Sequence, residues 1–255
     1  MNTHRAATAT LRTVLVTGAA QRIGRAIALA FAHANWQVAV HYRSSAAPAL
    51  ALVEEIRALG SGAEAFAADL ADLEQLRTLI PACTEALGAP CCLVNNASLF
   101  LKDELETLDA DDWQAHMDAN LRAPVMLAKS FAEHLPPGIP GNVVNIVDQR
   151  VLRPSPDFFS YSVSKAGLWW VTQTMSQALA PQIRVNAIAP GPVLQSIHQS
   201  GDDFAAEESA TLLGHGASPE DIASAILYLV EAKAVTGQMI CVDSGQHLSG
   251  GRHLS

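Results

Sequence analysis

Tyr161 and Lys165 are the residues of this 255-residue chain whose types and spacing most directly suggest chemistry. On a helix the i, i+4 spacing puts the phenol and the ammonium on one face. There the cation is expected to favour the phenolate and ready the phenol to give up a proton near neutral pH. Asp148 stands thirteen residues before the tyrosine, after an apolar run, and is a second group that could take part in proton transfer. Ser162 and Lys165 also form an S-x-x-K pair, the spacing of an acylating serine. The surrounding alternation of elements is wrong for such enzymes, and no K-T-G triplet follows.

A second group of residues suits a dinucleotide. In TGAAQRIGRA, Thr17 to Ala26, Gly18 and Gly24 bracket a turn between an apolar run and a helical pattern. The N–H groups of a helix N-terminus and its partial positive charge suit a pyrophosphate. The strict G-x-G-x-x-G pattern is absent, so the turn alone is equally compatible with an ordinary strand-to-helix connection. After the second apolar run comes His41-Tyr42-Arg43-Ser44-Ser45, with no acid between Gln37 and Pro48. A site for NAD would place a carboxylate there for the ribose 2′-OH, whereas Arg and Ser suit a 2′-phosphate, so NADPH is the expected cofactor. Asp69-Leu70 and Asn95-Asn96-Ala97-Ser98 follow the next two runs and are expected to grip the adenine and a ribose.

These residues need elements that hold them at one edge. Strand-like runs fall at 13–17, 37–41, 63–68, 91–95, 142–147, 183–188 and 238–242, and helical patterns at 23–34, 47–59, 72–87, 110–134, 160–180 and 219–231. Ser218-Pro219-Glu220-Asp221 carries a helix start: a capping residue, a proline at the first position and acids in the first turn. The alternation predicts an α/β fold, a single-domain Rossmann-type doubly wound sheet of seven mainly parallel strands with helices on both faces. Its ligand is expected beyond the carboxyl ends of the strands. The chain reads as a loose tail over 1–11 and one NADP-binding catalytic domain over 12–255, with a long irregular connection at 189–216 as a substrate lid.

With 49% hydrophobic residues and 16% charged, the composition predicts a well-buried core. A net charge of −9 argues against nucleic acid as the partner. No apolar run approaches a membrane span, and the start lacks a signal peptide's apolar segment. The four cysteines have no metal-ligand spacing, so no metal is expected, and a cytoplasmic location is. The sequon Asn96-Ala97-Ser98 then carries no glycosylation meaning.

Together these motifs resemble the short-chain dehydrogenases/reductases from about Thr13 to Leu248. Thr17, Gly18, Ile23 and Gly24 resemble the family's cofactor loop, Asn95-Asn96-Ala97 its strand-four motif, Tyr161 and Lys165 its catalytic pair, and Pro190-Gly191 the start of its substrate loop. Asn120 matches the asparagine that in the family helps hold a proton-relay water. Two positions depart from the common pattern: Asp148 replaces a serine that bonds a substrate carbonyl, and Arg22 replaces a glycine. Both changes occur together in the pteridine reductases and the related dihydromonapterin and dihydrofolate reductases. His41-Tyr42-Arg43-Ser44, Ser98 in place of the usual glycine, and Phe100 as a ring-stacking aromatic are similar to that branch.

The resemblance implies reduction of a pterin (dihydropteridine, dihydromonapterin or dihydrofolate) by hydride transfer from NADPH to a ring C=N. The proton is relayed through Tyr161 and Asp148, and Lys165 also binds the nicotinamide ribose. Arg22 is expected to reach both the cofactor pyrophosphate and the pterin, and Phe158 to form a second pocket wall. A homotetramer is implied, built partly through the helices at 110–134 and 160–180. A 3-oxoacyl-type carbonyl reductase and a non-catalytic NADPH-binding protein are the alternatives.

Overall fold

The computed structural model describes residues 12–249. Seven strands, β1 (Thr13–Val16), β2 (Gln37–Tyr42), β3 (Ala63–Ala67), β4 (Cys92–Asn95), β5 (Gly141–Ile146), β6 (Ile183–Pro190) and β7 (Met239–Val242), form one sheet in the order β3-β2-β1-β4-β5-β6-β7. Every pairing is parallel. Both faces are covered: α1 (Arg22–His33), α2 (Ala46–Ala58) and α8 (Pro219–Glu231) lie over a core built on Val14, Val16, Val38 and Val40. On the other face α3 (Leu73–Leu87) and α5 (Ala123–His134) lie over Leu15, Leu93, Val143 and Val185. The strand interiors are apolar on both sides for this reason. The chain reverses winding direction between β1 and β4, and the crevice at that switch point is where such sheets bind ligands.

Three segments differ from the sequence reading. The helix expected over 110–134 is α4 (Ala110–His116), a π-helical segment (Met117–Arg122) and α5. Pro124 has no N–H for the carbonyl four residues back, that of Asn120, and Ala123 N–H bonds five residues back to Asp118, so the turn is widened where Asn120 sits. The 189–216 connection contains α7 (Gly201–Ser209), started by a reciprocal Ser200–Asp203 capping box. A short 3₁₀ turn, Gln149–Val151, follows Asp148. No described helix is long and apolar enough to cross a membrane. The expected 1–11 tail and the end of the chain beyond Ser249 lie outside the described residues.

Candidate active site

The turn after β1 is held tightly against the end of β4. Thr17 Oγ1 donates to the Val94 carbonyl and accepts from the N–H groups of Asn96 and Ala97 at 2.9 and 3.0 Å. Asn96 Nδ2 donates to the Thr17 and Gly18 carbonyls at 2.9 and 3.1 Å. Gly18 has φ +62°, and at Gly24 a Cβ would stand 2.1 Å from the Gly18 carbonyl oxygen, so both glycines are needed for the close approach. The result is a cleft of about 400 Å³ lined by the turn itself, by His41 to Ser45, by Ala68 to Leu70 and by Asn96 to Leu99.

Several expected cofactor residues act from beneath this cleft. The His41 ring is buried. Its Nδ1 accepts from the Gly18 N–H at 3.0 Å, which leaves Nε2 to carry the proton and donate to the Ala68 carbonyl at 3.0 Å. Burial is the main reason its pKa is lowered to about 4, against weaker opposing effects of Ala68 and Asp69, so it is a neutral brace and not a cation for a phosphate. Thr17 and Asn95, unlike His41, do not line the cleft. Asn95 donates to Asn145 Oδ1 at 2.8 Å, and Asn145 donates in turn to Thr172, tying β4, β5 and the following helix. Tyr42, Arg43, Ser44, Asp69, Leu70 and Ala97 do line the cleft, with Arg43 and Ser44 exposed.

A smaller, adjoining space of about 190 Å³ brings together Arg22, Ile23, Ser98, Asp148, Tyr161, Lys165, Pro190 and Gly191. Helix α6 (Phe159–Ala178) carries Tyr161 and Lys165. Tyr161 Oη donates to Asp148 Oδ2 at 2.9 Å, and Asp148 also accepts from the Arg150 N–H at 2.8 Å and from its guanidinium at 3.4 Å. Asp148 is thus an acceptor in all three contacts. Burial first, and then the Asp148 charge and hydrogen bond, raise the Tyr161 pKa well above its ordinary value, with Arg150 opposing. The expected lowering by Lys165 is therefore not what this arrangement produces. Lys165 Nζ donates to the Ile146 carbonyl at 2.8 Å. Burial lowers its pKa to about 8, with Asp148 opposing.

Asn120 does not stand alone beside the tyrosine. Its Oδ1 accepts from the Leu99 N–H at 2.8 Å and from Ser98 Oγ, and its Nδ2 donates to the Leu99 carbonyl and to Ser164 Oγ. It therefore clamps the segment after β4 onto α6. Phe100 lies edge-on to the Tyr161 ring with centroids 4.7 Å apart, and stacks on Phe158 at 4.3 Å. The two aromatic residues expected as pocket walls are in contact with each other.

Arg22 has φ 53°, the left-handed region, which accounts for the ease with which glycine fits this turn. Its Nη2 donates to the Leu194 and Gln195 carbonyls at 3.1 and 3.0 Å, so the side chain spans from the turn after β1 to the 189–216 connection. Sequence reasoning missed two residues near the site. Arg150 bonds Asp148 and lies over the Phe158 ring at 5.4 Å. His198 bonds the Phe100 carbonyl at 3.1 Å and closes on both phenylalanine rings. Two residues after Asp148, Arg150 is legible in hindsight, but His198 lies in the loop and has no local signal.

The family model described as enoyl-(acyl carrier protein) reductase matches residues 18–247. The chain is 32% identical over 248 residues to 3beta-hydroxysteroid dehydrogenase 1 of Eggerthella lenta, covering 94% of this chain and 95% of that protein. It is also 32% identical to the 3-oxoacyl-[acyl-carrier-protein] reductase of Synechocystis, covering 92% and 97%. Among solved structures, the alternative dihydrofolate reductase FolM of Brucella suis, in complex with NADP, superposes with a TM-score of 0.91 at 42% identity, covering 93% of this chain and 95% of that one. A blue fluorescent protein from a metagenomic library, in complex with NADPH, superposes with a TM-score of 0.87 at 30% identity, covering 92% and 97%.

Proposed function

Since the chain belongs to the short-chain dehydrogenase/reductase family, we propose that it is an NADPH-dependent reductase of a pterin. The cleft after β1 fits a dinucleotide: the Gly18–Gly24 approach leaves no room for a Cβ, and helix α1 starts at its floor. Arg43 and Ser44 stand exposed at the end of β2, with no carboxylate between Gln37 and Pro48, which suits a ribose 2′-phosphate. The similarity to structures holding NADP and NADPH supports the same reading.

NADPH, when bound, supplies a hydride. Tyr161, held protonated by its buried setting, supplies the proton to the nitrogen beside the carbon that is reduced. Asp148 accepts from the phenol and keeps its remaining lone pairs for N–H groups of an amino-substituted ring, which a serine hydroxyl could not do with the same charge. Lys165, buried and close to the Tyr161 ring at 5.7 Å, carries the positive charge that offsets the proton leaving the phenol. Phe100 offers a flat apolar surface next to the phenol, once Phe158 moves off it or from its opposite face.

The observation that carries the choice of substrate is the Tyr161–Asp148 hydrogen bond at the position where a carbonyl reductase would use a hydroxyl. The likeness to FolM supports it. A 3-oxoacyl-type carbonyl reductase is the second reading, favoured by the sequence likeness to the Synechocystis enzyme. NADPH oxidation by the purified protein with dihydromonapterin, dihydrobiopterin, dihydrofolate and an acetoacetyl thioester decides between them. Turnover of the thioester without any pterin overturns the first reading.

A further inference from the structure

Phe100 lies on the segment that joins β4 to α4, and three anchors hold that segment. Asn120 binds both the N–H and the carbonyl of Leu99. On the other side of Phe100, the Leu101 N–H donates to His116 Nε2 at 3.1 Å. An N–H donor there requires that Nε2 carry no proton, so the neutral ring carries it on Nδ1 and donates to Ser160 Oγ at 2.7 Å. Ser160 Oγ then donates to Asp103 Oδ2. All three side chains are buried: His116 and Ser160 are 0% exposed and Asp103 3%.

The far end of this chain meets the helix that holds the proton donor. Helix α6 begins at Phe159, its N-cap Phe158 is left-handed at φ 55°, and that residue has no side-chain cap. Its exposed N–H groups need an outside partner. Both Asp103 oxygens accept from the Ser160 N–H at 3.2 Å, and the Asp103 carbonyl accepts from the Phe159 N–H. A carboxylate borrowed from the Phe100 segment thus caps the helix whose next residue is Tyr161, where the dipole favours an anion.

We propose that the chain Leu101–His116–Ser160–Asp103 is a positioning device that sets the Phe100 ring against the Tyr161 phenol. It joins the two groups through hydrogen bonds of fixed direction, so displacing either end displaces the other. It rests on the reading that Phe100 and Tyr161 face the substrate. Neutrality of His116 is part of the device, because a protonated Nε2 repels the Leu101 N–H instead of accepting from it. Burial lowers the His116 pKa; Asp103 and Asp112 oppose this and Lys165 adds to it, while the Tyr161 ring packs at 6.1 Å.

Amide hydrogen exchange over residues 98–104 tests the device without any substrate. A glutamine amide reaches as far as Nε2, an asparagine amide only as far as Nδ1. His116→Asn is therefore expected to speed exchange at Leu101 about tenfold or more, and His116→Gln to leave it nearly protected. Ser160→Ala keeps the backbone cap and cuts the chain, and is expected to raise the KM of whichever substrate the wild type reduces while the NADPH Kd stays within about twofold. In the wild type kcat/KM should fall on acidification only below the ordinary imidazole range, because burial lowers the His116 pKa, and this limb should be lost in His116→Gln. Equal exchange in the asparagine and glutamine variants, or a loss of NADPH binding in step with the KM change, overturns the proposal. A wild type that turns over a thioester and no pterin overturns the functional reading and leaves these measurements decisive for the device.

Discussion

Replacing Arg22 by glycine and by alanine separates two effects that coincide at one residue. The backbone at φ 53° is left-handed, which costs a residue with a Cβ about 1–2 kcal/mol. Glycine relieves that strain but adds about 0.5–1 kcal/mol of freedom to the unfolded chain, so the net gain over alanine is about 0.5–1 kcal/mol. The two hydrogen bonds to the Leu194 and Gln195 carbonyls are exposed, and each contributes about 0.5–1 kcal/mol. Arg22→Ala loses the bonds and keeps the strain, so it should be about 1–2 kcal/mol less stable than the wild type. Arg22→Gly loses both and should sit between them, melting about 1–4 °C above the alanine variant in calorimetry. Limited proteolysis at 194–199 should accelerate equally in both variants, because the same two bonds are gone. Equal melting of the glycine and alanine variants refutes the strain, and unchanged cleavage refutes the tether.

Three further outcomes follow from the same geometry. Gly24→Ala, whose Cβ would meet the Gly18 carbonyl at 2.1 Å, should abolish NADPH binding in a fluorescence titration and lower the melting temperature. Lys165 has a folded pKa of about 8, below its ordinary 10.5, so its burial opposes folding by about 3 kcal/mol at neutral pH, and stability recovers as pH rises from about 8 to 10.5. Lys165→Met should therefore melt higher than the wild type at pH 7, with the gap narrowing across that window, and should have lost turnover. His41, with a folded pKa of about 4 against 6.5 unfolded, should cost the fold about 3 kcal/mol as pH falls through that interval, since its protonated Nδ1 no longer accepts from Gly18. His41→Gln should flatten that acid limb in urea melts.

What was legible in the sequence was the sheet, because buried parallel strands are apolar on both faces and leave unmistakable runs such as Thr13 to Val16. The residues placed just beyond those runs were legible for the same reason: topology alone brings Asp148, Tyr161 and Lys165 to one edge. What the runs do not record is which way a side chain turns. His41 and Asn95 sit in the right motifs, yet their polar atoms are spent on hydrogen bonds across strands that only the folded pairing creates. The π-helical segment had a local signal, Pro124, and α7 had one in the Ser200–Asp203 box, but both were embedded in segments already read as one helix or one loop.

The aspartate at position 148 bears on the proton held by Tyr161. A serine there would share the phenol's hydrogen bond without adding charge. Asp148 adds a negative charge at 2.9 Å from Tyr161 Oη, and that charge, after burial, is what keeps the proton on the phenol. A phenol held this way gives up its proton only when the acceptor becomes basic enough, as a ring nitrogen does once the neighbouring carbon has gained a hydride. The phenolate left behind would then face Asp148 across a like-charge contact, with Lys165 and Arg150 the nearby cations to offset it. On the proposed pterin reading, an amino-substituted ring would put N–H donors onto Asp148 and draw down its charge as seen by the phenol. On that reading, the same carboxylate that holds the proton on the phenol would couple its release to the presence of a ring able to donate to it.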